Sequence, residues 1–229
     1  MSIQSQLSDI LTRIQNAEKR VGRPHGSAKL IAVSKTFPAQ DVLECYECGQ
    51  KVFGENKVQE GLSKKEALPT EIIWHLIGPL QRNKARKAIE NFDLIHAVDS
   101  LKLATYMNGI AQELGKTPHI LLEVNVGDED SKFGFSIEDL KSEWNELLQL
   151  SHLKIDGLMC IPPPSDLAED SRPYFKQLVR LRDELTNVSG VQLPELSMGM
   201  SHDFEIAVEE GATLVRVGSA IFGNRDYSH

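Results

Sequence analysis

Lys35 stands at the end of a short apolar segment, where a charged side chain needs a physical reason. Residues 30–33 are all apolar and include isoleucine and valine, which is typical of a buried strand. One interpretation is that the strand reaches solvent and that Lys35 caps it, since most lysines are solvated. The other is that the chain presents a primary amine for covalent reaction with a carbonyl group. Residues 30–36 alone leave both interpretations open.

Two segments near the carboxyl end combine glycine with hydroxyl side chains and predict an anion site. They are residues 197–201, Ser-Met-Gly-Met-Ser, and residues 216–219, Arg-Val-Gly-Ser. Glycine lets a backbone approach an anion closely, and serine adds hydrogen-bond donors. Ser201 is also expected to open a helix, where it could act only as an N-cap or could place free N–H groups beside an anion. Because both segments share this chemistry, we predict that they bind a phosphate together.

Arg216 lies between two valines on a predicted strand, so alternation places it on the same side as Leu214. A buried arginine needs partners, and an ion pair with Glu55 or Glu123 would satisfy it without any ligand. A lysine, a phosphate cradle and a group facing a pyridine nitrogen are, however, what holds pyridoxal 5'-phosphate (PLP). An arginine opposite that nitrogen would disfavour its protonation and make the ring a weaker electron sink.

The elements that must position these residues alternate regularly along the chain. After a first helix, eight apolar segments are each followed by a helical segment or a loop, at intervals of about 20 to 35 residues that match a βα unit. The predicted strands cover residues 30–36, 51–54, 72–77, 94–98, 119–126, 155–159, 193–197 and 213–217. This alternation predicts an α/β fold with a parallel sheet, and eight units match a single (β/α)8 TIM-type barrel. Its working face would be the carboxyl ends of the strands.

An open doubly wound sheet is the competing architecture, but no Gly-x-Gly-x-x-Gly turn follows any predicted strand. An extra N-terminal helix within residues 1–24 has apolar residues at steps of three and four, with Ser2 as its expected N-cap. We expect this helix to pack outside the barrel. Because no linker or shift in composition divides the sequence, residues 1–229 are predicted to form one domain.

Composition and charge exclude several classes of partner. The net charge of -8 argues against nucleic acid. No apolar run approaches the ~20 residues of a membrane span, and the first residues are too polar for a signal peptide. The three cysteines are an odd, small number, which is typical of a reducing compartment. We therefore expect a cytoplasmic protein.

Six segments in order along the chain resemble one family, the pyridoxal phosphate homeostasis proteins, which are single-barrel relatives of the alanine racemase N-terminal domain. The matching segments are residues 32–36, 53–56, 74–81, 157–159, 196–201 and 215–219. They span nearly the whole chain with short gaps. The resemblance implies one PLP-binding, alanine racemase-like barrel domain.

The resemblance also implies a role for individual residues. Lys35 would form a Schiff base with PLP, and Arg216 would face the pyridine nitrogen. Ser201, Gly218 and Ser219 would hold the phosphate, with Ser219 standing where many relatives have threonine. Asn56, His75 and Met159 would lie nearer the ring.

The resemblance further implies that this chain performs no catalysis of its own. Alanine racemases add a second, β-rich domain and complete their site with a tyrosine from the partner subunit, and this chain is expected to lack room for that domain. The family's role is placed in PLP supply and in the balance of amino acids and keto acids. We expect a monomer that binds PLP, with PLP-requiring apo-enzymes as recipients and with no catalytic residues. The alternative is a small PLP-dependent enzyme such as an amino-acid racemase.

Three other patterns are weaker. Cys45 and Cys48 form a C-x-x-C pair, but no second pair completes a zinc site, so we predict no metal centre. Residues 82–87 are basic and are expected to form a solvated face. Residues 127–134 are expected to form a charged loop on the working face. That loop could alternatively be a lid that brings Lys132 to the site as a second amine.

Overall fold

Eight parallel strands close into a barrel whose order around the sheet follows their order along the chain. The structure is a computed structural model, and it describes residues 2–127 and 133–223. The strands are β1 Lys29–Val33, β2 Val52–Glu55, β3 Ile73–Leu76, β4 Leu94–Val98, β5 His119–Val124, β6 Lys154–Cys160, β7 Glu195–Ser197 and β8 Leu214–Val217. The predicted (β/α)8 barrel is confirmed, and the open doubly wound sheet is excluded because β1 pairs with β8.

Helices follow the strands and cover the outside of the barrel. Within the described residues they are α1 Ile3–Arg20, α2 Ala39–Glu47, α3 Val58–Ala67, α4 Ala85–Asn91, α5 Leu101–Leu114, α6 Ile137–Leu148, α7 Arg172–Ser189, α8 Phe204–Glu209 and α9 Ser219–Phe222. Capping residues mark several of their ends. Ser100, for example, accepts a hydrogen bond from Leu103 N, and Gly115 ends the same helix in a left-handed conformation. None of these helices is long and apolar enough to cross a membrane.

Helix α1 precedes the barrel and packs against its outer helices. Ser2 caps it as predicted, accepting a hydrogen bond from Ser5 N at 3.2 Å. One face is buried, as the spacing of three and four predicts, and Arg13 pairs with Glu205 of α8 at 2.8 Å. Val21 departs from that face and lies exposed at the end of the helix. The assignment of residues 1–229 to a single domain stays a prediction.

The apolar core has two parts. The larger part fills the space between the barrel and the helices, and a smaller cluster fills part of the barrel's interior. The smaller cluster consists of Ile31, Leu94, Ala97, Leu121, Met159 and Leu214, with Val52 against it. Arg216 follows Leu214 by two residues on β8 and is also buried, so the interior becomes polar towards the carboxyl ends of the strands. The polar end of the interior is where the candidate site lies.

Candidate functional site at the carboxyl ends of the strands

One cavity of about 420 Å³ opens at the carboxyl ends of the strands and collects most of the predicted site residues. Six of them line it: Lys35, Asn56, Ser201, Arg216, Gly218 and Ser219. They come from the ends of β1, β2, β7 and β8, which the closed barrel makes neighbours. A larger groove of about 700 Å³ lies between α1, α2 and the starts of β1 and β2, but it contains none of these residues. The chemistry therefore concentrates in the smaller cavity.

Lys35 reaches the cavity from a tight turn that follows β1. The strand ends at Val33, earlier than predicted, and Phe37 N donates to Ser34 O at 3.1 Å. Thr36 has a φ of 70°, a conformation that β-branched residues rarely adopt. Its N–H donates to the carboxylate of Glu60, which supports the strained turn. This turn places the half-buried Lys35 side chain on the cavity wall.

Arg216 is buried inside the barrel, and its recorded partners among residues 2–127 and 133–223 are neutral groups. Its Nη1 donates to Ser197 Oγ at 2.6 Å, and its Nη2 donates to the backbone oxygen of Cys160 at 2.9 Å. Among the described residues it makes no ion pair, so the expected pairing with Glu55 or Glu123 is wrong. Burial lowers the pKa of Arg216, although the nearby Cys160 thiol and Glu123 oppose that shift. The guanidinium nevertheless stays a cation because an arginine pKa lies so far above neutral pH.

Glu55 cannot reach Arg216 because it lies on the other side of the barrel wall. Its carboxylate accepts hydrogen bonds from Lys64 Nζ and from Ser34 Oγ, both at 2.6 Å. Gly54 precedes it on β2, and a Cβ on Gly54 would point into the barrel interior, 2.9 Å from the side chain of Ile31. Strand alternation therefore sends Glu55 outward to α3.

The two glycine- and serine-rich loops meet, but not as a helix cap. Gly218 N donates to Ser201 Oγ at 3.3 Å, and Arg216 N donates to Gly199 O at 3.0 Å. Ser201 lies in a turn, and α8 starts only at Phe204, so the expectation that Ser201 opens a helix is wrong. Asp203 takes the cap position, and its carboxylate accepts from Met200 N at 2.7 Å.

Close backbone contacts explain why glycines stand in these loops. Gly199 has a φ of 89°, and a Cβ there would lie 2.5 Å from the Cβ of Ala207. A Cβ on Gly218 would lie 3.0 Å from the backbone oxygen of Val33. Both loops are therefore held close to β1 and α8, and they leave the space beside Ser201 and Ser219 to the cavity.

His75 and Met159 do not line the cavity. His75 is buried on β3, where its Nδ1 lies 3.0 Å from His96 Nε2. Met159 belongs to the apolar cluster inside the barrel and is fully buried. Both residues therefore lie deeper in the barrel than the six that line the cavity. Their contact with a cofactor ring stays a prediction.

Glu123 is a cavity residue that the sequence suggested only as a partner of Arg216. It lies on β5, lines the cavity and is 8% exposed. Burial raises the pKa of Glu123 to about 7; nearby Asp99 adds to that shift and Arg216 opposes it. A glutamate in the apolar run of residues 120–124 was the signal that could have identified it. The cavity thus holds an amine, a guanidinium and a carboxyl group that titrates near neutral pH.

The cysteine pair and the basic segment do not line the cavity, whereas Phe133, near the end of the segment 127–134, does. Burial raises the pKa of the Cys45 thiol to about 12, so this thiol is unreactive, and no group of histidine, cysteine, aspartate or glutamate in residues 2–127 and 133–223 is placed to hold a metal ion. In the basic segment, Arg86 forms an ion pair with Glu113 at the surface. Lys132 lies outside the described residues, and so does the centre of the loop that contains it.

Comparison with known proteins gives a consistent result. Residues 6–226 match the family model of the alanine racemase N-terminal domain. The chain is 48% identical over 228 residues to the pyridoxal phosphate homeostasis protein of Aquifex aeolicus, covering 99% of this chain and 100% of that protein.

Solved structures extend the similarity to the fold. PipY of Synechococcus elongatus with PLP bound is 41% identical and superposes with a TM-score of 0.84, covering 97% of this chain and 100% of PipY. An alanine racemase of Clostridium difficile is 18% identical with a TM-score of 0.73, covering 96% of this chain but 58% of the racemase. The racemase likeness shows a shared barrel alone.

Proposed function

The chain belongs to the alanine racemase N-terminal domain family and, within it, to the pyridoxal phosphate homeostasis proteins, and on that premise we propose that it binds PLP for intracellular PLP homeostasis. The observation that carries the proposal is the single cavity that joins Lys35, Arg216 and the two glycine- and serine-rich loops. PipY, which has PLP bound in a solved structure, supports the same cofactor for this chain.

The residues of the cavity fit the three reactive parts of PLP. When bound, PLP supplies an aldehyde carbon to which an amine nitrogen can bond, with water as the leaving molecule. Lys35 offers that amine from the cavity wall. Ser201, Gly218 and Ser219 together suit a phosphate, because the two serines offer hydroxyl groups and Gly218 offers a backbone free of a side chain. A Cβ on Gly218 would press against the backbone oxygen of Val33.

Arg216 suits the pyridine nitrogen. Its guanidinium can only donate, so it favours a nitrogen that carries no proton and keeps that nitrogen unprotonated. An unprotonated ring withdraws electrons weakly, and such a site holds PLP better than it drives chemistry on an amino acid. We propose on this basis that the protein holds PLP reversibly and has no catalytic residues.

Asn56 completes the wall beside Lys35. Its backbone is held against Gly78, where a Cβ would lie 2.6 Å from Asn56 O. The amide side chain can donate or accept, so it suits a polar substituent of the ring. We therefore assign Asn56 a positioning role at the cofactor, and the contact of His75 and Met159 with the ring stays a prediction.

Borohydride reduction tests the cofactor assignment directly. The protein is loaded with PLP, reduced and digested, and peptide mass spectrometry is expected to find a pyridoxyl group on Lys35. Lys35→Ala is expected to abolish the visible absorption band of the bound cofactor, whereas Lys57→Ala, an exposed lysine, should leave it unchanged. A pyridoxyl group on any other lysine, Lys132 included, would overturn the assignment.

The rival function is a small PLP-dependent racemase, which the match of residues 6–226 to the family model of the alanine racemase N-terminal domain favours. Incubating the PLP-loaded protein with single-enantiomer amino acids and measuring optical inversion separates the two functions. We expect no turnover above that of free PLP. Turnover well above free PLP would replace the homeostasis role with an enzymatic one.

The remaining parts of the proposal concern partners and setting. We propose a monomer, since every residue that we assign to the cofactor comes from one chain, and a cytoplasmic setting, since Cys45, Cys48 and Cys160 are free. PLP-requiring apo-enzymes would be the recipients of the cofactor. Sedimentation of the PLP-loaded protein tests the oligomeric state, and a dimer would contradict it.

A further inference from the structure

Four buried side chains from four different strands form one hydrogen-bonded chain across the barrel interior. Arg216 Nη1 lies 2.6 Å from Ser197 Oγ, and Ser197 Oγ lies 2.9 Å from His96 Nδ1. His96 Nε2 in turn lies 3.0 Å from His75 Nδ1. The four residues come from β8, β7, β4 and β3, so the chain links strands that do not all touch one another. It leads from the cavity, which Arg216 lines, down into the barrel.

Donor and acceptor chemistry gives this chain a direction. An arginine side chain has no acceptor, so Ser197 Oγ must accept from Arg216. The hydroxyl of Ser197 can then donate its single proton in a hydrogen bond, and Nδ1 of His96 is the acceptor. A neutral imidazole carries one proton, so His96 is protonated on Nε2 and donates to His75 Nδ1. His75 is therefore also protonated on Nε2.

The opposite direction is disfavoured because it leaves a buried proton without an acceptor. If His96 donated to Ser197 from Nδ1, Ser197 would accept twice and its own proton would have no partner among the described side chains. Ser197 and His96 are both fully buried, and a buried hydroxyl without an acceptor is costly. Of the two directions, only the first gives the buried Ser197 proton an acceptor.

Both histidines stay neutral in this environment. Burial, His75 and Arg216 all lower the pKa of His96. Burial and the charge of Lys29 lower the pKa of His75 to about 4. A charged His96 would carry a proton on Nδ1 and could not accept from Ser197.

His96 shares the interior face of β4 with Leu94 by ordinary strand alternation, and the pairing of β4 becomes irregular beside it. Ile95 pairs with Ile120 and Val98 pairs with Leu122, so β4 has one more residue than β5 between these two pairs. His96 and Ala97 lie in that bulge, and Ala97 also belongs to the interior cluster. Bulges are rare between parallel strands. The strand therefore departs from regular pairing where His96 enters the interior.

We propose that His96, acting through Ser197, positions the Arg216 guanidinium at the cofactor site, with His96 and His75 both held as neutral Nε2–H tautomers. Ser197 holds Nη1 and the Cys160 backbone oxygen holds Nη2, so the guanidinium plane is fixed from two sides. His96 accepts a hydrogen bond from the Ser197 hydroxyl and thereby turns the hydroxyl's lone pair towards Arg216. The proposal rests on the proposed function only where Arg216 meets the cofactor.

The tautomers can be measured in the PLP-free protein. Long-range ¹H–¹⁵N correlation spectra of ¹⁵N-histidine protein, assigned with His96→Leu and His75→Leu, are expected to show both imidazoles neutral and protonated on Nε2. A His96 proton on Nδ1, or a charged imidazolium at neutral pH, would overturn the proposal. This measurement does not depend on whether PLP binds.

A double-mutant cycle tests the path through Arg216. Ser197→Ala is expected to weaken PLP binding about tenfold and to shift the visible absorption maximum of the bound cofactor, because Arg216 loses one fixed contact. In an Arg216→Met background the same substitution should change PLP affinity less than about twofold. Ser136→Ala, which removes the N-cap of α6, should lower the melting temperature without moving the absorption maximum.

The outcomes separate this proposal from the proposed function. An equal loss of affinity in both backgrounds would show that Ser197 acts only on stability, and the positioning role would be wrong. If no pyridoxyl group appears on Lys35 after reduction, the proposed function fails, and the tautomer spectra still decide the hydrogen-bond chain.

Discussion

Lys64 and Arg216 are both buried cations, and they lie on opposite sides of the barrel wall. Lys64 is 6% exposed and donates to Glu55 at 2.6 Å, to Glu60 at 2.9 Å and to Ser34 O at 2.7 Å. Arg216 is 4% exposed, and within the described part of the chain its acceptors are a hydroxyl and a backbone carbonyl. One charge is neutralised by carboxylates, and the other is held in place by neutral groups. The cation without a carboxylate partner is the one that lines the cavity.

The difference shows how a barrel separates structural charge from functional charge. A buried cation with its own carboxylate has little attraction left for a ligand, whereas one fixed by neutral acceptors keeps its field. The structural pair still lies close to the site, since Ser34, which donates to Glu55, directly precedes Lys35. The pair therefore supports the turn that places Lys35 on the cavity wall, while Arg216 is left to meet the cofactor that we propose for the cavity.

The largest effect is expected from removing the structural cation. Lys64→Met leaves the Glu55 carboxylate buried without its partner, although burial already holds its pKa above the ordinary value. Breaking a buried pair in this way should reduce the free energy of unfolding by about 3–5 kcal/mol, measured by urea denaturation. Lys65→Met, at an exposed neighbouring position, should stay within about 0.5 kcal/mol of the wild type. A loss no larger for Lys64→Met would show that the pair is not structural.

The second prediction tests whether Glu123 neutralises Arg216. Burial raises the pKa of Glu123 from 4.5 to about 7, so the folded protein holds this proton more tightly than the unfolded chain. The free energy of unfolding should therefore fall as pH rises from about 4.5 to about 7, by at most about 3 kcal/mol, and then level off. Glu123→Gln should remove that fall.

The measurement for Glu123 is the difference between urea-unfolding profiles of wild type and variant across this pH range. The lowered pKa of His75 contributes the opposite slope, with stability lost as pH falls below about 6.5, but it contributes equally to both proteins and cancels. Glu66→Gln, at an exposed position, should follow the wild type. A Glu123 pKa at or below 4.5 would mean that the carboxylate pairs with Arg216, and the contrast with Lys64 would fail.

Much of the fold could be predicted from the sequence, and so could the position of Arg216 and Lys35 at one end of the barrel. Alternating apolar segments and helices predict the barrel, and a closed barrel brings strand ends such as Lys35 and Gly218 together wherever they lie in the chain. The capping residue Ser2 could be recognised in the same way. Periodicity and capping are local signals, so they can be read from the sequence without knowing which elements contact one another.

The partners of buried charges could not be predicted in the same way. Arg216 bonds to residues on β6 and β7, and which residue faces it depends on register. The bulge in β4 likewise shifts the register between β4 and β5, and it cannot be seen in the sequence 94–98, which looks like a regular strand. Ser201 was expected to open a helix, but it lies in the turn before Phe204, where its hydroxyl accepts a hydrogen bond from Gly218 N. These errors all concern contacts between elements.

The third prediction concerns Ser34→Ala, which should weaken the ion pair of Lys64 and Glu55 without breaking it. Ser34→Ala removes the hydroxyl that donates to Glu55 at 2.6 Å, while the backbone contact of Ser34 O with Lys64 remains. The lost hydrogen bond to a buried charged group should cost about 2 kcal/mol of unfolding free energy. The fraction of protein with a pyridoxyl group on Lys35 after reduction should stay unchanged. A matching loss of that fraction would show that the pair and the site are not separate.

The smallest effect on stability, and the sharpest contrast with Lys64, is expected from Arg216→Met. Removing the arginine side chain leaves no unpaired charge behind. Ser197 and the Cys160 carbonyl lose a hydrogen-bond donor, but the protein no longer has to bury a cation that lacks a carboxylate partner, and the two effects offset each other. The free energy of unfolding of the PLP-free protein should change by no more than about 1 kcal/mol. PLP affinity should nevertheless fall by at least about tenfold, since the substitution removes the group that we propose to face the pyridine nitrogen. A stability loss as large as that of Lys64→Met would make Arg216 a structural cation too, because its neutral acceptors would then depend on it as strongly as Glu55 depends on Lys64.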